Sequence, residues 1–171
     1  MTFILGIDPG LVRTGWGVVK STGNQLSLIA AGVIKTEAEK KDVTKGHSSL
    51  LDARLLHIST ELARVIDLYK PNEAAIEETF VNVNGQSTLK LGQARGAILL
   101  TLAQAGLPTH EYAATLVKKS VTGAGRAEKT QVSRMVQILL PGCEKHGADA
   151  MDALAIAITH AHHRKLLVTG Y

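Results

Sequence analysis

Phe3 to Ile7 is a short, unbroken apolar run that ends in Asp8-Pro9-Gly10. A run of that length closed by turn residues reads as a buried strand. Gly15 to Lys20 and Leu26 to Ile34 are two more strand-like runs, and Gly23-Asn24 between them suits a hairpin turn. Glu37 to Lys45 is charged and reads as a solvated loop. From Ser49 to Tyr69, Leu51, Leu55, Ile58, Leu62, Val65 and Ile66 recur at helical spacing, and Lys70-Pro71 closes the helix. Glu73 to Glu77 is short enough to be a strand, and Asn82 to Thr88 is polar and reads as loop. Leu89 to Gly106 predicts a helix rich in small residues, Pro108 to Tyr112 a last strand, and Glu128 to Leu140 and Asp149 to His163 two more helices. Three strands on short turns, then alternating helix and strand, then terminal helices predict an α/β fold, a mixed sheet of five strands flanked by helices. In such sheets, sites form at the carboxyl ends of the strands.

Composition narrows this little. A chain of 171 residues is expected to be a single domain, 1–171, with a short tail from about 164. With one cysteine, Cys143, there is no intramolecular disulfide and no cysteine-based zinc site, and a reducing, cytoplasmic compartment fits. The first ten residues lack the basic and long apolar regions of a signal peptide. No apolar run approaches the ~20 residues that span a bilayer, so no membrane association is expected. The formal charge of +4 accords with a nucleic-acid partner but is shared by many unrelated proteins.

The acidic residues change the picture. Asp8 ends the first strand, where it also suits plain turn chemistry. Glu77 ends another strand beside Glu78, and successive strand residues face opposite sides, so only one of the two shares a face with Asp8. Asp149 and Asp152 stand three residues apart on one helical face. Acids in a first turn complement the helix dipole, yet Ala150 to Ile158 is apolar nearly all round, which marks a buried helix. Buried carboxylates must be paired or metal-bound, and this helix carries no Lys or Arg before Arg164. Hard oxygen ligands without His or Cys select Mg²⁺ or Mn²⁺ over zinc. Two such ions, about 4 Å apart, activate a water and stabilise the leaving oxygen of a phosphodiester.

Ile7-Asp8-Pro9-Gly10 with Thr14-Gly15, Ala75-Ile76-Glu77, Leu91-Gly92-Gln93-Ala94-Arg95-Gly96, Ala127-Glu128-Lys129, and Ala148-Asp149-Ala150-Met151-Asp152-Ala153-Leu154-Ala155 follow one another in a recognisable order and spacing. From about Phe3 to His163 the chain resembles the RuvC-type Holliday junction resolvases. The resemblance implies a ribonuclease-H-like fold and a homodimeric endonuclease, dependent on Mg²⁺ or Mn²⁺ with two ions per subunit. Such an enzyme nicks two opposed strands of a four-way DNA junction in recombination and repair. It works beside a branch-migration complex, the junction-binding RuvA tetramer and the RuvB motor ATPase. Carried over residue by residue, the four acids are Asp8, Glu77, Asp149 and Asp152, which resolves the Glu77/Glu78 choice towards Glu77. The family's basic residues match Lys118 and Lys129, and its base-stacking aromatic matches Phe80. The charged stretch Glu37 to Ser48 is longer than the family pattern.

The residues around these positions allow both functional and ordinary readings. Val117 to Lys129 reads as a basic loop in which Lys118, Lys119, Arg126 and Lys129 contact DNA phosphates, or as a merely solvated one. Gly123 to Thr130 nearly matches a phosphate-binding G-x-x-x-x-G-K-T loop, but Glu128 replaces the second glycine and sets an anion where the phosphates must lie. Phe80 either stacks on an unpaired base or packs in the core. The small residues Gly92, Ala94, Gly96 and Ala97 permit close helix approach, within the core or across a dimer interface, and the family points to the interface. His160, His162 and His163 end a helix, where its dipole favours them. Cys143 reads as a packing residue. The acids alone also fit another ribonuclease-H-like nuclease.

Overall fold

The structure is a computed structural model that describes residues 1–36, 50–78 and 85–168. Five strands form one sheet: β1 (Thr2–Asp8), β2 (Arg13–Thr22), β3 (Gln25–Lys35), β4 (Glu73–Glu77) and β5 (Thr109–Tyr112). The described helices are α1 (Leu50–Tyr69), α2 (Gly85–Gln104), α3 (Ala114–Thr122), α4 (Lys129–Leu139) and α5 (Ala148–Val168). The sheet order is β3-β2-β1-β4-β5. β1, β2 and β3 pair antiparallel, whereas β4 joins β1, and β5 joins β4, in parallel. Among the described residues no helix is long and apolar enough to cross a membrane.

Strand alternation sorts the core into two layers. Leu5, Ile7, Val18, Ala74 and Ile76 pack with Ile58 and Leu62 of α1 and Ala94, Ile98 and Leu102 of α2. Ile4, Val19 and Ala75 face the other way, onto α3, α4 and α5. Because side chains alternate along a strand, Gly6 and Asp8 share the α5 face with Ile4, and Glu73 and Glu77 share it with Ala75.

Helix α5 is the central element of that face. From Ala150 to Ala161 every residue is buried except the half-buried Asp152. The helix reaches the sheet because glycines make room. A Cβ on Gly6 would lie 2.1 Å from the Ala153 carbonyl oxygen, and one on Gly15 would lie 2.0 Å from that of Asp149. Backbone against backbone is the tightest packing available, and it brings the first turn of α5 down beside the end of β1.

Three expectations need correction. Val117 to Lys129 is not one loop, because Ala114–Thr122 is a helix whose Val117 and Val121 are buried one turn apart. Gly123 ends it at φ 81°, donating its N–H to the Lys119 carbonyl. The glycines that suggested a loop thus include a left-handed helix stop, a conformation glycine adopts without steric cost. Helix α2 begins at Gly85 rather than Leu89, so the last part of the polar segment 82–88 is helical. Helix α5 continues to Val168, past the point where a tail was expected. Phe80 and the charged stretch Glu37 to Ser48 lie outside the described residues.

Candidate functional site

Asp8 ends β1 opposite Gly15 of β2. Ile7 pairs with Ile76 of β4, so the next residues, Asp8 and Glu77, stand at adjoining strand ends. Glu77 is half-buried and on the α5 face, whereas Glu78 is exposed and donates its backbone N–H to the Tyr112 carbonyl oxygen at 2.9 Å. Strand parity therefore selects Glu77. From above, α5 sets Asp149 over Gly15 and Asp152 one turn further along.

Asp8 feels the other three acids. Burial and the charges of Asp152, Glu77 and Asp149, in that order, raise the carboxyl of Asp8 from 3.8 to about 7, while Lys129 opposes the rise. Burial first and Asp152 second push Glu77 up as well, against Lys118 and Lys129. Carboxylates so placed favour a cation, because like charges in a poorly solvated site disfavour ionisation.

Some of that demand is met from outside α5. Arg13 Nε donates to Asp149 Oδ2 at 2.6 Å, and Lys129 Nζ lies 2.6 Å from Asp152 Oδ2. That hydrogen bond holds the Lys129 ammonium above its usual range. The helix itself carries no nearby cation, but β2 and α4 each supply one. Among the described residues no three carboxylate, imidazole or thiol side chains stand at ligand spacing, and two of the four acids are turned to these cations. The donor set still suits a hard divalent ion: carboxylate oxygens only, short of positive charge around Asp8.

Of the expected basic residues, Lys118 and Lys129 join the acids. Lys119 is exposed on α3 and Arg126 is exposed beyond it. Glu128 has a local role, capping α4 by accepting from the helix backbone while its own N–H donates to Gln131 Oε1 at 2.8 Å. Cys143 is fully buried in the core.

Sequence reasoning missed Arg13. Its signal was available, because Arg13 has the same strand parity as Gly15 and Gly17, which underlie α5. It also missed the use of His160. This residue is wholly buried and lies within α5, which runs on to Val168, rather than at the helix end where its dipole would favour it. Tyr112 OH lies 2.7 Å from its Nδ1, and its Nε2 lies 2.7 Å from Glu73 Oε2. Burial keeps His160 below its ordinary value, so the neutral ring accepts from Tyr112 and donates to Glu73. Arg164 adds Nε and Nη2 bonds to the same carboxylate at 3.0 and 2.9 Å.

The sequence matches the family model of crossover junction endodeoxyribonuclease RuvC over residues 4–160. The crossover junction endodeoxyribonuclease RuvC of Xanthobacter autotrophicus is 56% identical over 161 residues, covering 94% of this chain and 90% of the relative. That of Paramagnetospirillum magneticum is 55% identical, covering 94% and 92%. Among solved structures, Thermus thermophilus RuvC in complex with Holliday junction substrate superposes with a TM-score of 0.85 at 31% identity, covering 97% of this chain and 96% of that one. The yeast mitochondrial Holliday junction resolvase Ydc2, at 11% identity and a TM-score of 0.63, shares the fold, covering 98% and 86%. The observed sheet is the ribonuclease-H-like one expected from sequence. A family match spanning nearly the whole chain, and relatives that share more than half of its residues, settle the relationship: the chain belongs to the crossover junction endodeoxyribonuclease RuvC family.

Proposed function

We propose that this chain is a single-domain, metal-dependent endonuclease that resolves four-way DNA junctions by paired, symmetric nicks in recombination and repair. The observation that carries the reading is the convergence of four acids from three elements. Burial first, and then the charges of Asp152, Glu77 and Asp149, raise the Asp8 carboxyl to about 7 and leave it in want of a cation. Asp8, Glu77, Asp149 and Asp152 would hold the metal, Mg²⁺ or Mn²⁺ and two ions per subunit. When bound, such ions supply an activated water and stabilise the leaving oxygen of a phosphodiester. The chain's own residues do the rest. The four carboxylates fix where the scissile phosphate must come, and Lys118 and Lys129 hold its neighbours through charge. Lys119 and Arg126 extend the basic surface along the DNA. Phe80 follows Glu77 closely in sequence and stacks on a base at the opened crossover.

Two matched cuts call for a protein with the symmetry of its substrate. The outer face of α2 suits a second copy of the chain. Leu89 and Leu100 are 63% and 59% exposed. Gly92 and Gly96 between them have open space above them. The partners that fit are junction DNA, a second protomer, and the RuvA tetramer with its RuvB motor, all in the cytoplasm.

The test is strand cleavage of a junction, a linear duplex and an RNA–DNA hybrid, with Mg²⁺, Mn²⁺ or chelator. Only the junction should be cut efficiently, in two opposed strands, and only with metal. Asp8→Asn, Glu77→Gln, Asp149→Asn and Asp152→Asn should each abolish cutting while junction binding persists. Full cutting by Asp8→Asn, or equal cutting of all three substrates, would refute the assignment.

A further inference from the structure

Arg13 and Asp149 make an unusual pair, because the acid belongs to the cluster in want of cations and the base lies at its edge. Arg13 Nε sits 2.6 Å from Asp149 Oδ2 with its side chain 43% exposed, so one end of the contact opens to solvent. Directly opposite Arg13 on β3 is Lys35. Opposed residues of an antiparallel pair share a face, and like charges placed so are destabilising. A strand pair that carries two cations there is suited to hold an anion. Asp149 supplies one negative charge, and the exposure of both cations leaves access for another. The site is where the carboxyl end of β1 meets the start of β2, on the α5 face, beside the acids the substrate must approach.

We propose that Arg13 is an exchangeable counter-ion. It neutralises Asp149 while the acids are without metal, and it passes to a DNA phosphate when a divalent ion takes that carboxylate. The proposal rests on the metal-site reading above. A guanidinium bonded to Oδ2 opposes a divalent ion at the same carboxylate, by occupying that oxygen and by like-charge repulsion, so each weakens the other's hold on Asp149. Released, Arg13 presents a planar fork of donors that suits a phosphate as well as a carboxylate, and Lys35 extends the same positive edge. In the exchange Asp149 trades the single charge of Arg13 for that of a divalent ion, and Arg13 neutralises one charge of the incoming phosphate. Metal loading and DNA binding then reinforce each other through one side chain.

The test begins with Mn²⁺ titrated into DNA-free protein by calorimetry. Arg13→Gln removes the competitor and should tighten Mn²⁺ binding, by about 3- to 5-fold because a half-exposed pair is screened. Arg13→Lys keeps a cation and should stay near the parent value. Junction affinity is then measured against salt, in chelator and in Ca²⁺. In Ca²⁺, Arg13→Gln should bind more weakly and its salt slope should fall by about one per site. In chelator, where Asp149 already holds Arg13, the variant should match the parent. Weaker or unchanged Mn²⁺ binding by Arg13→Gln would overturn the exchange and make Arg13 a fixed support for Asp149. An equal loss of junction affinity in both conditions would do the same. Asp8→Asn reports on the underlying reading: if it binds Mn²⁺ as well as the parent, the metal site itself is misassigned.

Discussion

The approach of α5 to the sheet is open to a one-carbon test. At Gly15, an added Cβ would stand 2.0 Å from the Asp149 carbonyl oxygen, 2.5 Å from its carbon and 3.3 Å from the Ala150 nitrogen. Ordinary contact begins at 3.4 Å, so the oxygen must retreat by 3.4 − 2.0 = 1.4 Å. No flexible side chain is available to absorb this, because every atom met is backbone. Nor does the helix slide freely, since Gly6 seats it again at Ala153 and its Leu154, Ile156 and Ile158 are fully buried. The strain therefore falls on the first turn of α5, which carries Asp149 and Asp152. Overpacking of this kind costs about 1–3 kcal/mol, and a 1 Å misplacement at a reacting site costs about 100-fold in rate. Gly15→Ala should thus melt lower and, even where fully folded, cut junctions about 100-fold more slowly at saturating Mg²⁺. Gly17→Ala is the informative comparison. Its Cβ meets the buried side chain of Leu154 at 2.6 Å rather than the backbone of the first turn, so the strain falls on the core and not on the segment that carries Asp149 and Asp152. It should lose stability but much less activity. Gly147→Ala meets nothing within 4 Å and should be neutral. Single-turnover cleavage and thermal melting of the three variants decide the matter. Parent-like cutting by Gly15→Ala, or equal rate losses in Gly15→Ala and Gly17→Ala, would refute the argument that close backbone contact sets the acids.

Three further outcomes are expected. The Asp8 carboxyl is raised from 3.8 to about 7 in the folded chain, so its contribution to metal-free stability is full below pH 4 and is lost as pH rises through 7. In chelator the melting temperature of the parent should fall from pH 5 to pH 8, and Asp8→Asn should flatten that fall; identical slopes would remove the linkage. Tyr112→Phe deletes the hydroxyl 2.7 Å from buried His160 Nδ1 and should cost about 1–3 kcal/mol. Thermal melting measures that loss, and cutting well below the melting range should be unaffected. Phe80→Ala and Phe80→Leu should slow cleavage of a fully paired junction more than one with unpaired bases at its centre, which has already met an unstacking cost of a few kcal/mol. Equal slowing of both substrates in a cleavage time course would count against stacking.

The order of strands and major helices was legible because apolar periodicity differs between them, whereas strand ends and a buried helix only marked the acids as candidates, and the family resemblance chose Glu77 over Glu78. What periodicity does not encode is what a glycine is for. Gly6, Gly15 and Gly17 each break a strand pattern in the same way, yet their use depends on a helix more than 130 residues later. Gly123 had the opposite ambiguity. It was read as loop when it closes a helix, because Val117 and Val121 give only two buried positions from which to recognise α3. Arg13 was passed over for a related reason. A charged residue at a strand's start is ordinary, and its parity with Gly15 and Gly17 acquires meaning only through the distant contact with Asp149.

Glu73 and Glu77 show why acids cannot be ranked from sequence alone. They bound the same five-residue strand, face the same helix and are both half-buried. Their carboxyls nevertheless move in opposite directions. Glu73 is held below its usual range, first by the hydrogen bond from Arg164, and His160 adds a second. Glu77 is pushed up, by burial and by Asp152, despite Lys118 and Lys129 nearby. The difference lies in α5, which places an arginine and a histidine over one end of the strand and two aspartates over the other. At the Glu73 end the protein supplies its own positive charge and the contact is structural. At the Glu77 end it gathers negative charge that Lys118 and Lys129 only partly offset, and on the function proposed above a cation from solution would meet the rest. That imbalance separates the paired acid from the one the proposed function assigns to a metal, and it arises only when β4 and α5 meet.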